Sequence, residues 1–293
     1  GNLTLGANAA AEGILTVDAS TSSANSTITT TAITKNVTIN LGSGADTVTT
    51  GSGADTLNIA SANLASTDKI SLGAGVDTLN ITTDINYIDS DTTKFGGLTN
   101  IEILKLSGNA TSQTVSIEST NFTTFDARPM TTGNVTVTAT GQTSKTDILL
   151  GGGSDTLKIE AADVSLTATT KTINGGAGSD TLEITTSADF TDANFSTKKI
   201  TAFETIKLAG KLTAAANFNT TGITNILASG ALTFDSIALS KTFNVTGSTG
   251  ADTITLGAGN DTVIGVDGAD TIKAGAGNDT FRFEGNKLTS DDT

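Results

Sequence analysis

The chain has no cysteine, no histidine and no tryptophan, and only one tyrosine, one methionine and one proline in 293 residues. Without Cys there are no disulfides and no thiolate chemistry. Without His there is neither a Ser-His-Asp triad nor the usual His-ligated zinc. No Gly-x-Ser-x-Gly elbow stands in an apolar setting, so the sequence predicts no enzyme. Aromatics make up 4%, which suits a narrow core of stacked Val, Ile and Leu better than a deep globular one. No run approaches the 18 or so apolar residues of a membrane span, so no membrane insertion is expected. Basic side chains are few: 16 Lys and Arg stand against 30 Asp and Glu, a net charge of −14 and a pI near 4.2. That balance argues against nucleic acid and anionic membrane surfaces as partners and for bound cations. The opening Gly1-Asn2-Leu3 is neither a start site nor a signal peptide, and the chain reads as a fragment of a longer protein.

What the chain does have is a beat. An Asp-Thr pair runs into an aliphatic or aromatic residue at Asp46, Asp55, Asp77, Asp155, Asp180, Asp252, Asp261, Asp270 and Asp279, mostly behind a Gly-rich turn such as Gly257-Ala258-Gly259-Asn260-Asp261. The last four are spaced by nine residues without a slip. Turn plus short strand every nine residues is the sequence form of a calcium-loaded parallel β-solenoid. Abundant Thr favours pleated strands over long helices. The expected fold is all-β: a right-handed parallel β-solenoid with calcium-binding β-roll coils, continuous over residues 1–293.

The turns cluster at about 41–81, 147–184 and 247–283, and matching members lie about a hundred residues apart, as in Asp55 and Asp155 or Asp77 and Asp180. A second pair of segments keeps step. Phe95-Gly96-Gly97-Leu98-Thr99-Asn100-Ile101-Glu102-Ile103-Leu104 matches Ile200-Thr201-Ala202-Phe203-Glu204-Thr205-Ile206. Alternation in Ile101–Leu106, Asn134–Thr138 and Phe243–Thr246 predicts strands. Weaker turns at Asp68, Asp147 and Lys171 complete four per cluster. Insertions before the third turn of the first two clusters are expected to bulge from one edge.

Two nonapeptides complete one coil, so turns about 18 residues apart stack on the same edge. A hard cation seeks six or more oxygens. Asp supplies carboxylates, and Gly exposes carbonyls through backbone angles closed to other residues. The candidate metal residues on the stronger edge are Gly53 and Asp55 with Gly75 and Asp77, Gly153 and Asp155 with Gly178 and Asp180, and Gly259 and Asp261 with Gly277 and Asp279. On the other edge Asp252 pairs with Asp270, and Asp46 with the weaker Asp68. Glu102, Glu204, Asp84 and Asp89 fall off the phase and read as solvated surface.

These turns resemble the RTX repeats of proteins exported by Gram-negative type I secretion, and Gly175-Gly176-Ala177-Gly178-Ser179-Asp180-Thr181-Leu182-Glu183 matches the full consensus. The Thr/Ala/Gly/Asn-rich stretches between clusters resemble RTX-bearing surface-layer proteins of the Caulobacter and Campylobacter kind. The resemblance implies Ca2+ as cofactor, secretion in an unfolded state, and folding outside the cell. It also implies self-association into a two-dimensional surface lattice, held to a cell-surface glycolipid through a part not in this chain. An adhesin, or the calcium-binding repeat region of a larger secreted protein, remains the alternative. Ice binding through Thr-x-Thr rows is disfavoured because Thr usually follows Asp and such rows recur irregularly.

Overall fold

A computed structural model describes residues 1–87, 95–108, 112–117, 122–141, 146–164, 171–195, 200–265 and 267–283; Asp89 and most of the insertion before Lys171 lie outside them. The fold is a β-solenoid whose strands pair in parallel among the described residues. Helix is confined to short pieces such as Ala7–Ala11 and Ala161–Val164. Among the described residues no helix is long and apolar enough to cross a membrane. The chain divides into two compact units, Gly1–Val137 with Lys145–Gly152, and Thr138–Ser144 with Gly153–Thr293.

In the first unit one face stacks Thr16–Ala19, Thr38–Leu41, Thr56–Ile59, Thr78–Ile81, Ile103–Leu106, Thr124–Asp126 and Asp147–Leu149 in parallel. Alternate residues point inward, so register places Ile39, Leu57, Leu79, Leu104, Phe125 and Ile148 in one fully buried row. Burying each such side chain stabilises by about 1.5–3 kcal/mol. The outward positions build ladders of their own. Asn58 donates to Asn40 and Asn80 to Asn58, each at 2.8 Å, and the Ser107 hydroxyl of the next coil donates to Asn80 at 2.9 Å. A second face stacks Asn2–Thr4, Thr27–Thr29, Thr47–Thr49, Lys69–Ser71 and Leu98–Thr99.

In the second unit Thr156–Ile159, Thr181–Ile184, Thr205–Thr213, Asn225–Asp235, Asn244–Thr246, Thr262–Gly265 and Thr280–Phe283 stack in the same manner. Thr205–Thr213 and Asn225–Asp235 are long because they turn the corner as bent strands, with a register shift between Leu208 and Gly210. Their second halves pair onward to Thr253–Thr255 and Thr271–Lys273. Phe195, Phe218, Phe243 and Phe234 fill this unit's core, with Phe195 edge-on to Phe218 at 4.9 Å and Phe234 edge-on to Phe243 at 5.4 Å.

Two expectations need correction. The insertion after Ala60 does not simply bulge, because Leu64 folds back into the core, 1% exposed, with its amide on the Ala60 carbonyl. Asp147 does not hold an aspartate-turn position either: it pairs with Thr124 as the first residue of its strand, and buried Thr146 takes the turn position instead.

Candidate metal sites

The residue that precedes each strand defines a column at the coil's corner. In the first unit register runs Val37, Asp55, Asp77, Glu102, Thr123, Thr146. In the second it runs Asp155, Asp180, Glu204, Thr224, Phe243, Asp261, Asp279. The expected pairs Asp55/Asp77, Asp155/Asp180 and Asp261/Asp279 are therefore stacked neighbours. The other corners bring Asp46 onto Asp68 and Asp252 onto Asp270.

One hydrogen bond repeats along every column. The Oδ1 atoms of nine of these Asp residues accept the backbone N–H of the residue stacked on them in the preceding coil. Asp55 takes the amide of Val37 at 2.7 Å, Asp77 that of Asp55 at 2.6 Å and Asp180 that of Asp155 at 2.8 Å. Asp261 takes Phe243 at 2.7 Å and Asp279 takes Asp261 at 3.0 Å. Asp46, Asp68, Asp252 and Asp270 accept from Ser26, Asp46, Leu232 and Asp252 in the same way. Burial follows, since Asp46, Asp55, Asp77, Asp155, Asp180, Asp252 and Asp261 are at most 1% exposed.

The second carboxylate oxygen separates the sites. Oδ2 of Asp46, Asp55, Asp77, Asp180 and Asp261 is buried with no hydrogen-bond partner. A buried carboxylate oxygen without a donor costs several kcal/mol unless it is protonated or meets a cation. Burial first, then the stacked negative charges of Asp55 and Glu102, push the Asp77 carboxyl up to about 6. Burial, Asp155 and Glu204 push Asp180 up to about 7. Asp46 and Asp261 are raised for the same leading reason.

Asp68 and Asp252 differ. The Oδ2 of Asp68 accepts the Ala65 amide of its own turn. Both oxygens of Asp252 are engaged, Oδ1 by Leu232 and Oδ2 by the Ser248 amide at 2.7 Å, with the Ser248 hydroxyl against both. In the Asp252/Asp270 pair of the other edge, Asp252 therefore also holds its own turn together.

Glycine enters for two reasons. Gly75, Gly153, Gly178 and Gly277, each two residues before an Asp, have φ of +148°, +112°, +135° and +134°, a region that favours glycine. Gly53 and Gly259 open their stacks without such a φ, against expectation. There the need is room, because a Cβ would lie 2.4 Å from the Lys35 carbonyl oxygen or 2.5 Å from that of Lys241.

The structure also corrects Glu102 and Glu204. They are half-buried members of the columns rather than solvated acids, with Oε2 accepting the amide of Asp77 at 2.8 Å and of Asp180 at 2.7 Å. Their match in sequence was visible, and their stacking onto the Asp turns was not, because coil lengths of 25 and 24 residues break the nine-residue phase.

The donor set is oxygen-only and anionic, which fits a hard divalent cation. Among the described residues no three acidic side chains converge on one point, so backbone carbonyls would complete any coordination shell. Parallel coils with stacked Gly-x-Asp corners define a calcium-type β-roll. In agreement, a family model described as the RTX calcium-binding nonapeptide repeat (4 copies) matches residues 34–57, 172–183 and 246–281. The chain thus carries RTX repeats, a calcium-binding kind typical of secreted proteins. No curated protein and no solved structure matches the chain.

Proposed function

We propose that this chain is the calcium-dependent solenoid of a secreted structural protein, a surface-layer subunit that tiles a two-dimensional array on the bacterial cell. The observation that supports its calcium-dependent part is the set of buried, stacked aspartates that each keep one carboxylate oxygen without a donor; the surface-layer part rests on the resemblance of the Thr/Ala/Gly/Asn-rich stretches between the clusters. We assign calcium to the pairs Asp55/Asp77, Asp155/Asp180 and Asp261/Asp279, with the carbonyls of their turn glycines, and a lesser site to Asp46. Bound there, calcium would supply positive charge and bridging oxygen coordination between adjacent coils.

The chain's own residues do the rest. In calcium-poor surroundings like charges repel at each corner, and net charge of −14 opposes compaction. Where calcium is plentiful, its binding energy becomes folding energy, which suits a protein that crosses membranes unfolded and folds outside.

The test is to add calcium to the purified chain and image it by electron microscopy, then chelate. Ordered sheets that dissolve with chelator are expected. Calcium-dependent folding that leaves a monomer at every concentration would overturn the lattice and leave the repeat region of an adhesin or another secreted protein. In the same preparation Asp180→Ala should weaken calcium-dependent folding more than Asp68→Ala, because only Asp180 keeps an unpartnered oxygen.

A further inference from the structure

Two of the aspartate pairs are followed, in the direction of the chain, by a glutamate. In the first unit Asp55 and Asp77 are followed by Glu102, and in the second Asp155 and Asp180 by Glu204. Neither glutamate lies in a matched nonapeptide repeat. Yet each repeats the aspartate's part: a carboxylate oxygen accepts the amide of the acid stacked on it, at 2.8 and 2.7 Å.

The sign of φ repeats too, though not its value. Two residues before the acid, where Gly75 and Gly178 take positive φ, the glutamate turns place Asn100 at +54° and Ala202 at +56°, the only non-glycine residues with positive φ among those described. A left-handed Ala costs on the order of 1–3 kcal/mol and persists only when its surroundings demand it. The residue just before the acid behaves differently. Val76 is 59% exposed, whereas Ile101 and Phe203 are 6% and 0% exposed. Tucking that side chain inward alters the path into the acid, and the additional methylene of Glu lets the carboxylate reach the same donor.

Asp77 and Asp180, whose amides the glutamates take, are both 0% exposed, and each holds a buried Oδ2 with no partner. The same constellation is built independently in each unit. We propose that Glu102 and Glu204 are calcium ligands, each adding one cation-binding step after its aspartate pair, between Asp77 and Glu102 and between Asp180 and Glu204. A longer acid closes the series where the next coil offers only Thr123 or Thr224 in the column.

The inference rests on calcium binding at the aspartate turns, and the experiment keeps the two apart. The probe is Ca2+ itself, its stoichiometry on the full chain read by equilibrium dialysis and titration calorimetry. Glu102→Gln and Glu204→Gln, singly and together, retain an oxygen able to accept the Asp amide but remove the charge. The expected result is loss of one bound ion, or at least a tenfold weakening of one, per substitution, with the metal-free chain melting no lower than wild type, since the lost charge relieves repulsion at Asp77 or Asp180. Calcium binding equal to wild type in the double variant would overturn the inference, and so would a change confined to metal-free stability, since that marks the glutamates as hydrogen-bonding caps alone. A wild-type chain that binds no calcium would instead overturn the aspartate sites.

Discussion

A single aspartate in this protein does two opposed things. Oδ1 satisfies a backbone donor of the neighbouring coil, which stabilises the stack, while a buried and unpaired Oδ2 destabilises it. The balance depends on pH. Asp77 and Asp180 are held near 6 and 7 in the fold against 3.8 in the open chain, so the folded metal-free chain keeps protons that the unfolded chain releases. Their stabilising contribution is complete below about pH 4 and is lost as pH rises through 6 to 7. Asp192 runs the other way: held low by the amides of Phe218, Asn217 and Ala215 despite partial burial, it loses its contribution as pH falls. Melting in chelator is expected to be lower at pH 8 than at pH 5, and calcium affinity should rise over the same interval because protons compete for the oxygens. A chelated chain more stable at pH 8 would contradict the burial of these groups. Glycine offers a second check at this scale. A Cβ on Gly178 would lie 1.6 Å from the Gly153 carbonyl oxygen at φ +135°, whereas Gly13, at φ +79°, has nothing within 4 Å. Both Ala variants incur backbone strain of about 1–3 kcal/mol, but Gly178→Ala adds a backbone collision, so its midpoint in urea should fall further than that of Gly13→Ala.

Single coils explain what the sequence disclosed and what it hid. The strands were legible because a period of two survives wherever one face is buried, as in Thr56–Ile59 and Thr181–Ile184. The stacking of Asp55 on Asp77 and of Asp155 on Asp180 was legible as well, since a nine-residue beat with counted insertions determines register. The corners without that beat were not. The left-handed turns at Asn100 and Ala202 leave no glycine to mark them, and the bend at Gly210 turns a corner inside one strand. The fate of each second oxygen was also hidden: that Asp252 Oδ2 meets the Ser248 amide depends on a turn's path rather than its composition. Between acid pairs the second unit relies on packing. Phe243 is fully buried against Phe234 and Phe218 and donates its amide to Asp261. Phe243→Ala keeps that amide but empties the core, and should cost about 3–5 kcal/mol by urea denaturation, with or without calcium. Lys207→Ala, which removes a partly exposed bridge to Glu183 on the outer face, should cost no more than about 1 kcal/mol. Comparable losses from the two would mean that the aromatic cluster is not the anchor of those coils.

For the molecule as a whole, a solenoid's stability is close to a sum over neighbouring coils, and each unit contains its own run of hydrogen-bonded stacked acids, Asp55, Asp77 and Glu102 in the first and Asp155, Asp180 and Glu204 in the second. Calcium should therefore act regionally. A site occupied at a hundred times its dissociation constant adds about 2.7 kcal/mol to the coils it joins, and local opening reports that gain where it is made. Replacing Asp55 and Asp77 together by Asn removes both charges of the first unit's pair while leaving the Asp155/Asp180 and Asp261/Asp279 pairs untouched. Hydrogen exchange followed by mass spectrometry in saturating calcium should then show faster exchange in the strands Thr38–Leu41, Thr56–Ile59 and Thr78–Ile81, with protection of Thr181–Ile184 and Thr262–Gly265 retained. Equal loss of protection in both units would show that the ions stabilise one cooperative body instead of separate stacks of coils, and the additive picture of calcium along the solenoid would have to be given up.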